Sequence, residues 1–192
     1  KKAGRIASEG LVGMAVDGTK GAMVEVNSET DFVARNETFQ NFVSTCAKLA
    51  LTTGDDMDAL KASDFPGSDR TVEDELTNMI STIGENMNLR RVETVSVNSG
   101  AVISYMHNAI GDGIGKIGVL VGLESDADGA ALEGTGKQLA MHVAAANPQS
   151  ISRDDLDPDL VQRERDVLSQ QARDSGKPEN IIEKMVEGRM RK

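Results

Sequence analysis

Leu11-Val12-Gly13-Met14-Ala15-Val16, then Asp17-Gly18-Thr19-Lys20-Gly21, then Ala22-Met23-Val24-Glu25-Val26 is the stretch on which the fold turns. Two short apolar runs flank a dense turn signal, so the segment reads as a β-hairpin. Outward from its second strand runs Glu25-Val26-Asn27-Ser28-Glu29-Thr30-Asp31-Phe32-Val33-Ala34-Arg35-Asn36, an acidic loop that closes at a helix start near Asn36. Beyond it Phe39, Phe42, Val43, Cys46, Leu49 and Ala50 recur at helical spacing. They define an amphipathic helix of about four turns, ended by Thr52-Thr53-Gly54.

The same pattern returns later in the chain. Ala101-Val102-Ile103-Ser104-Tyr105-Met106-His107 reads as a strand, Gly111-Asp112-Gly113-Ile114-Gly115 as a turn, and Lys116-Ile117-Gly118-Val119-Leu120-Val121-Gly122-Leu123-Glu124-Ser125 as the returning strand. An acidic, Gly-containing loop then precedes a helix carrying Leu139, Ala140, Val143 and Ala144 and ending at Asn147-Pro148. Hairpin, acidic loop and helix thus recur, which implies internal duplication of an α+β unit at a period of roughly 95 residues. Between the copies, a polar stretch with Phe65-Pro66-Gly67 leads to a helix capped by Thr71. Its stripe is Val72, Leu76, Met79, Ile80 and Ile83, and Gly84 stops it. Leu89, Val92, Val95 and Val97 mark a further strand.

After Pro148 the character changes. Asp157-Pro158 pairs a cap with proline at the first helical position. Leu160, Val161, Glu164, Val167, Leu168 and Gln171 lie along one stripe, Ser175-Gly176-Lys177-Pro178 is a stop and restart, and Ile181, Ile182, Met185, Val186 and Met190 form a second stripe. Two antiparallel helices of this kind have little core of their own and are expected to project from the body or pack on something. The expected fold class is therefore α+β. Two similar subdomains, residues 1–97 and 98–147, each carry an antiparallel sheet packed with helices, and a projecting antiparallel helical hairpin occupies 148–192. Self-association through 148–192 is one use of its stripes and partner docking another. The chain opens on Lys1 and ends at Lys192 with no strand returning to the sheet, which reads as truncation.

Bulk properties narrow the function. The 192 residues carry a net charge of −10, with 27% charged and 39% hydrophobic side chains and a pI near 4.7. A surface this acidic repels phosphate backbones, so direct nucleic-acid binding is not expected. A single cysteine excludes an internal disulfide and fits a reducing compartment, and Cys46 on an apolar stripe reads as a small buried hydrophobe. No apolar run approaches the roughly 20 residues of a membrane span, and no signal peptide is visible.

Chemistry is sparse. The Gly-rich turn at 111–115 opens onto a strand and lacks the lysine and helix of a phosphate cradle. His142 reads as a packed or half-exposed helix residue, and His107 stands at a strand-to-loop edge, where its role is open. Neither has Cys or His at ligand spacing, so no metal site is expected. Asp55-Asp56 and Asp154-Asp155 read as solvated faces, and no nucleophile has a partner base. No active site and no cofactor emerge, which points to an interaction protein. One residue stands out. A chain with 3% aromatic residues places Phe32 in a polar loop, where it is either a plug closing the local core or an exposed anchor for a partner. Val33 beside it, also apolar, tilts the reading of the residues toward the plug.

At Glu25-Val26-Asn27-Ser28-Glu29-Thr30-Asp31-Phe32-Val33-Ala34 the chain closely resembles the bacterial elongation factor Ts family, guanine-nucleotide exchange factors for elongation factor Tu. Ile83-Gly84-Glu85-Asn86-Met87-Asn88-Leu89-Arg90-Arg91 resembles a second signature. Ser104-Tyr105-Met106-His107 and Gly115-Lys116-Ile117-Gly118-Val119-Leu120-Val121 resemble a third, and Ala140-Met141-His142-Val143-Ala144-Ala145 and Ser175-Gly176-Lys177-Pro178 extend the likeness. The resemblance implies two similar core subdomains, an inserted helical pair, a small helical domain before Lys1-Lys2-Ala3-Gly4-Arg5 and further modules after Lys192. It also implies a non-enzymatic factor that needs no cofactor. Asp31 and Phe32, with Thr30 and Val33, would meet the G domain of elongation factor Tu, the ring displacing the Mg²⁺ that helps hold GDP. Ile83 and Gly84 would lie at the same surface, and His107 would make a separate partner contact. On this resemblance Phe32 is expected to be an exposed anchor. A fragment that binds the partner without promoting exchange is the alternative, and an enzyme holding a metal in its acidic loops is a third reading. The implied compartment is the bacterial cytoplasm, with mitochondria or chloroplasts as alternatives.

Overall fold

A computed structural model of the chain describes residues 4–190; the chain-end residues 1–3 and 191–192, part of the expected junctions, lie outside the described residues. The chain divides between Ala146 and Asn147 into two compact units.

In the first unit, β1 (Glu9–Asp17) and β2 (Lys20–Ser28) form the hairpin, in register from Asp17 opposite Lys20 to Glu9 opposite Ser28. β3 (Met87–Ser96) pairs antiparallel with β2, and the short β5 (Ile114–Gly115) pairs with β1, giving the order β3-β2-β1-β5. β4 (Gly100–His107) and β6 (Ile117–Glu124) make a separate two-stranded antiparallel sheet. The arrangement is α+β, as the sequence implies. Hairpin followed by helix occurs twice, as β1-β2 with α1 (Glu37–Thr53) and as β4-β6 with α4 (Gly129–Ala146).

Alternation sets the layers. Leu11, Ala22, Val24 and Val26 point to one face of the larger sheet and bury against Phe39, Phe42, Val43 and Cys46 of α1. The β4-β6 sheet contacts β1 and β2, and α4 packs on β4 and β6. Carbonyls of the first hairpin's turn hold both neighbours: Val102 N–H of β4 donates to Gly18 O at 2.9 Å, joining the two sheets, and Val97 N–H, just past β3, donates to Thr19 O at 3.0 Å.

Four features depart from the sequence reading. The polar stretch after Gly54 contains a short helix, α2 (Met57–Ala62), because Asp56 accepts hydrogen bonds from the N–H groups of Asp58 and Ala59 and Leu60 plugs the core. Phe65, in the same stretch, stacks on Phe42 at 5.7 Å between ring centroids. The Gly-rich connection at 111–115 is more than a turn: Ile114 and Gly115 pair with Gly13 and Val12, and Ile114 is buried in the first core. The acidic loop ends early, since α4 begins at Gly129; Gly136 lets it lie against β4, where a Cβ would come within 2.6 Å of Ile103 Cγ1.

The second unit contains α5 (Pro158–Asp174), capped by the Asp157 side chain, and α6 (Glu179–Met190). Ala172, Ile182 and Val186 are buried between them, with Leu168 and Met190 packed alongside. Arg165 pairs with Glu187 and Arg173 with Glu179. Exposed pairs of this kind contribute little to stability.

Candidate functional site

The loop after β2 is built from a chain reversal that begins in the core. Ser28 is fully buried and its hydroxyl donates to Thr30 O at 2.9 Å, turning the chain out of the strand. A single 3₁₀ turn, Val33–Arg35, follows, with Ala34 N–H donating to Asp31 O at 3.2 Å and Arg35 N–H to Phe32 O at 3.1 Å. Three residues per turn spread successive side chains around the axis, so Val33 and Ala34 facing the core oblige Phe32 to face away. Val33 is 4% exposed and Ala34 5%, whereas Phe32 is 73% exposed. The plug is Val33; Phe32 stands in solvent beside an exposed Asp31.

The exit of the loop is fixed by α1. Asn36 caps that helix by accepting from Phe39 N–H at 3.2 Å, and the Gln40 amide donates to Ala34 O at 2.8 Å. The entry is fixed by the turn between α3 (Val72–Ile83) and β3. Gly84 ends α3 in the left-handed region at φ +91°, where its N–H reaches Ile80 O at 3.2 Å. The reversal brings Glu85 onto Thr30, whose N–H and hydroxyl donate to the two carboxylate oxygens at 3.0 and 2.6 Å. In return Asn86 N–H donates to Glu29 Oε1, Arg5 lies 3.5 Å from the same oxygen, and the Asn86 amide donates to Arg5 O at 2.7 Å.

Thr30, Asp31, Phe32, Val33, Ile83 and Gly84 therefore belong to two adjoining turns. Ile83 is half-buried and packs on the core below them. His107 is placed on the other sheet, exposed at the end of β4 opposite Ile117; its Nδ1 is hydrogen-bonded with the Tyr105 hydroxyl at 3.0 Å. Ile117 is itself 46% exposed. His142 is exposed on α4 rather than packed.

Glu29, Glu85, Asn86 and Arg5 were not singled out by residue type. Acidic side chains in turns usually face water, and the pairing of two turns far apart in sequence has no periodicity to reveal it. Asp55 and Asp56 are likewise bonded as well as exposed, Asp55 accepting from the Thr94 hydroxyl at 2.6 Å. On β2, Glu25 meets Arg91 at 2.6 Å and Arg90 at 3.3 Å. Burial pushes its carboxyl up, but the hydrogen bonds from Asn27 and Arg91 and the two guanidinium charges outweigh this and hold it below the usual carboxylate range. Among the described residues no three His, Cys, Asp or Glu side chains converge to hold a metal ion, and no helix is long and apolar enough to cross a membrane.

Fold and site define a class: an α+β protein that displays an aromatic ring on a braced surface loop. A family model described as Elongation factor TS matches residues 29–192. The chain is 59% identical over its whole length to elongation factor Ts of Rhodospirillum centenum, 57% to that of Parvibaculum lavamentivorans and 60% to that of Rhodospirillum rubrum. The chain belongs to the elongation factor Ts family. It spans 62% of the length of these curated relatives.

Proposed function

We propose that this chain promotes release of GDP from elongation factor Tu by protein–protein contact, performing no covalent chemistry of its own. The observation that carries the reading is the exposed ring of Phe32 on a loop held at both ends, in a member of this family. An exchange factor works by binding the nucleotide-free partner better than the nucleotide-bound one, and the coupling is reciprocal. Shifting that balance ~10⁴-fold takes about 5.5 kcal/mol of differential binding. Burying one phenyl ring supplies roughly 1.5–3 kcal/mol. Phe32 therefore works with other contributions: loss of the partner's Mg²⁺ and a second contact through His107, Tyr105 and Ile117.

In this scheme Thr30 and Val33 serve the loop from behind, Val33 as its core anchor, while Ile83 and Gly84 shape the adjoining turn. The compartment that fits is the bacterial cytoplasm. The alternative is that the chain docks on elongation factor Tu without accelerating exchange.

Stopped-flow release of fluorescent GDP from elongation factor Tu tests both. Acceleration by the parent, reduced about tenfold or more in Phe32→Ala, is expected. Binding without acceleration would establish the docking alternative, and absence of binding would overturn both.

A further inference from the structure

On the reading that Phe32 drives nucleotide release, we infer that Glu85 is the positioning residue that aims the ring. Most of the Phe32 side chain lies in solvent, so its direction is set by the backbone behind it. At the exit, Gln40 and the Asn36 cap hold that backbone. At the entry, Glu85 holds it with both carboxylate oxygens on one residue, Thr30. Hydrogen bonds to an ionised carboxylate are short and strong, and a two-point attachment fixes orientation as well as distance.

The strap is reciprocal. Glu85 binds the backbone of the Phe32 loop, while Glu29 binds the backbone of the Glu85 turn at Asn86 N–H. Arg5 lies beside Glu29, and the Asn86 side chain returns to the Arg5 carbonyl. Two turns that would each be pliable alone become one surface. Glu85 is only partly exposed, and Thr30 engages both of its carboxylate oxygens. Glutamine can preserve the geometry: its carbonyl accepts from Thr30 N–H, and its amide donates to the Thr30 hydroxyl, which then acts as acceptor. Alanine cannot.

The test is a double-mutant cycle with the full chain, read by stopped-flow GDP release from elongation factor Tu, together with amide hydrogen exchange of the free protein. Glu85→Ala is expected to slow release about tenfold, and Glu85→Gln to stay within about threefold of the parent. In a Phe32→Ala background, Glu85→Ala is expected to cost less than about twofold, because no ring remains to be aimed. Amides of residues 30–36 should exchange faster in Glu85→Ala while those of α1 stay unchanged. An equal fold-loss in both backgrounds, or unchanged release in Glu85→Ala, overturns the proposal. If Phe32→Ala leaves the parent's rate unaltered, the exchange reading itself fails. Loop exchange then decides for Glu85 alone: faster amides uphold its hold on the loop, and unchanged amides overturn it.

Discussion

Phe32 and Val33 are neighbours in sequence and occupy opposite media, one in water and one in the core. The division follows from the 3₁₀ turn, which buries two consecutive side chains and leaves the preceding one outside. Cys46 illustrates burial at the same scale. It is fully inaccessible, and burial pushes its thiol from 9.0 up to about 12. The unfolded chain ionises first, so this group's contribution is complete below the ordinary thiol value and is lost as pH rises from 9.0 toward about 12. Thermal scans should accordingly show the parent losing more stability than Cys46→Ala across that range; parallel curves would refute the assignment. The candidate loop was readable as a place, through its misplaced aromatic and its family motif. Its bracing was not, because Glu85 reaches Thr30 across the whole of α1, α2 and α3.

Elements were legible where periodicity was unbroken and obscure where packing overrode it. The stripes on α1 and α3 mark helices without ambiguity, as does alternation in the first hairpin. In β3 the buried residues Met87, Leu89 and Val92 break the two-residue period. A bulge explains this: Glu25 pairs with Arg91 and Val26 with Leu89, leaving Arg90 as the extra residue. Both arginines thereby reach the same carboxylate. The N-terminal half of α4 escaped notice because glycine is a poor helix former, yet Gly136 is there to admit Ile103. Two substitutions separate these effects. Gly134→Ala meets no atom within 4 Å and should stabilise by about 0.5–1 kcal/mol. Gly136→Ala gains the same propensity but crowds the Cβ of Ile103 at 2.9 Å as well as its outer carbons. Overpacking of about 1–3 kcal/mol should outweigh the gain. Chemical denaturation of the two variants, shifting in opposite directions, is the expected result.

At the scale of the molecule, the two units differ in what holds them. The first has a continuous core drawn from three of its helices and the larger sheet, while the second buries three side chains between two helices. A chain ending at Ala146 should therefore still unfold in a single cooperative transition by circular dichroism. Residues 147–192 alone should show weak, non-cooperative helicity by circular dichroism. Loss of the single cooperative transition in the shortened chain would refute this. The clasp of β5 on β1 has a further consequence, in the order of events rather than in energy. Val12 waits for Gly115 before its outer edge is paired, so the first hairpin is complete early while its sheet is not. Until the segment around Ile114 arrives, a folding chain carries a bare strand edge of the kind that recruits other chains. Closing it is a long-range, slow step. The brief β5 therefore sets when the middle of the β1 edge is covered.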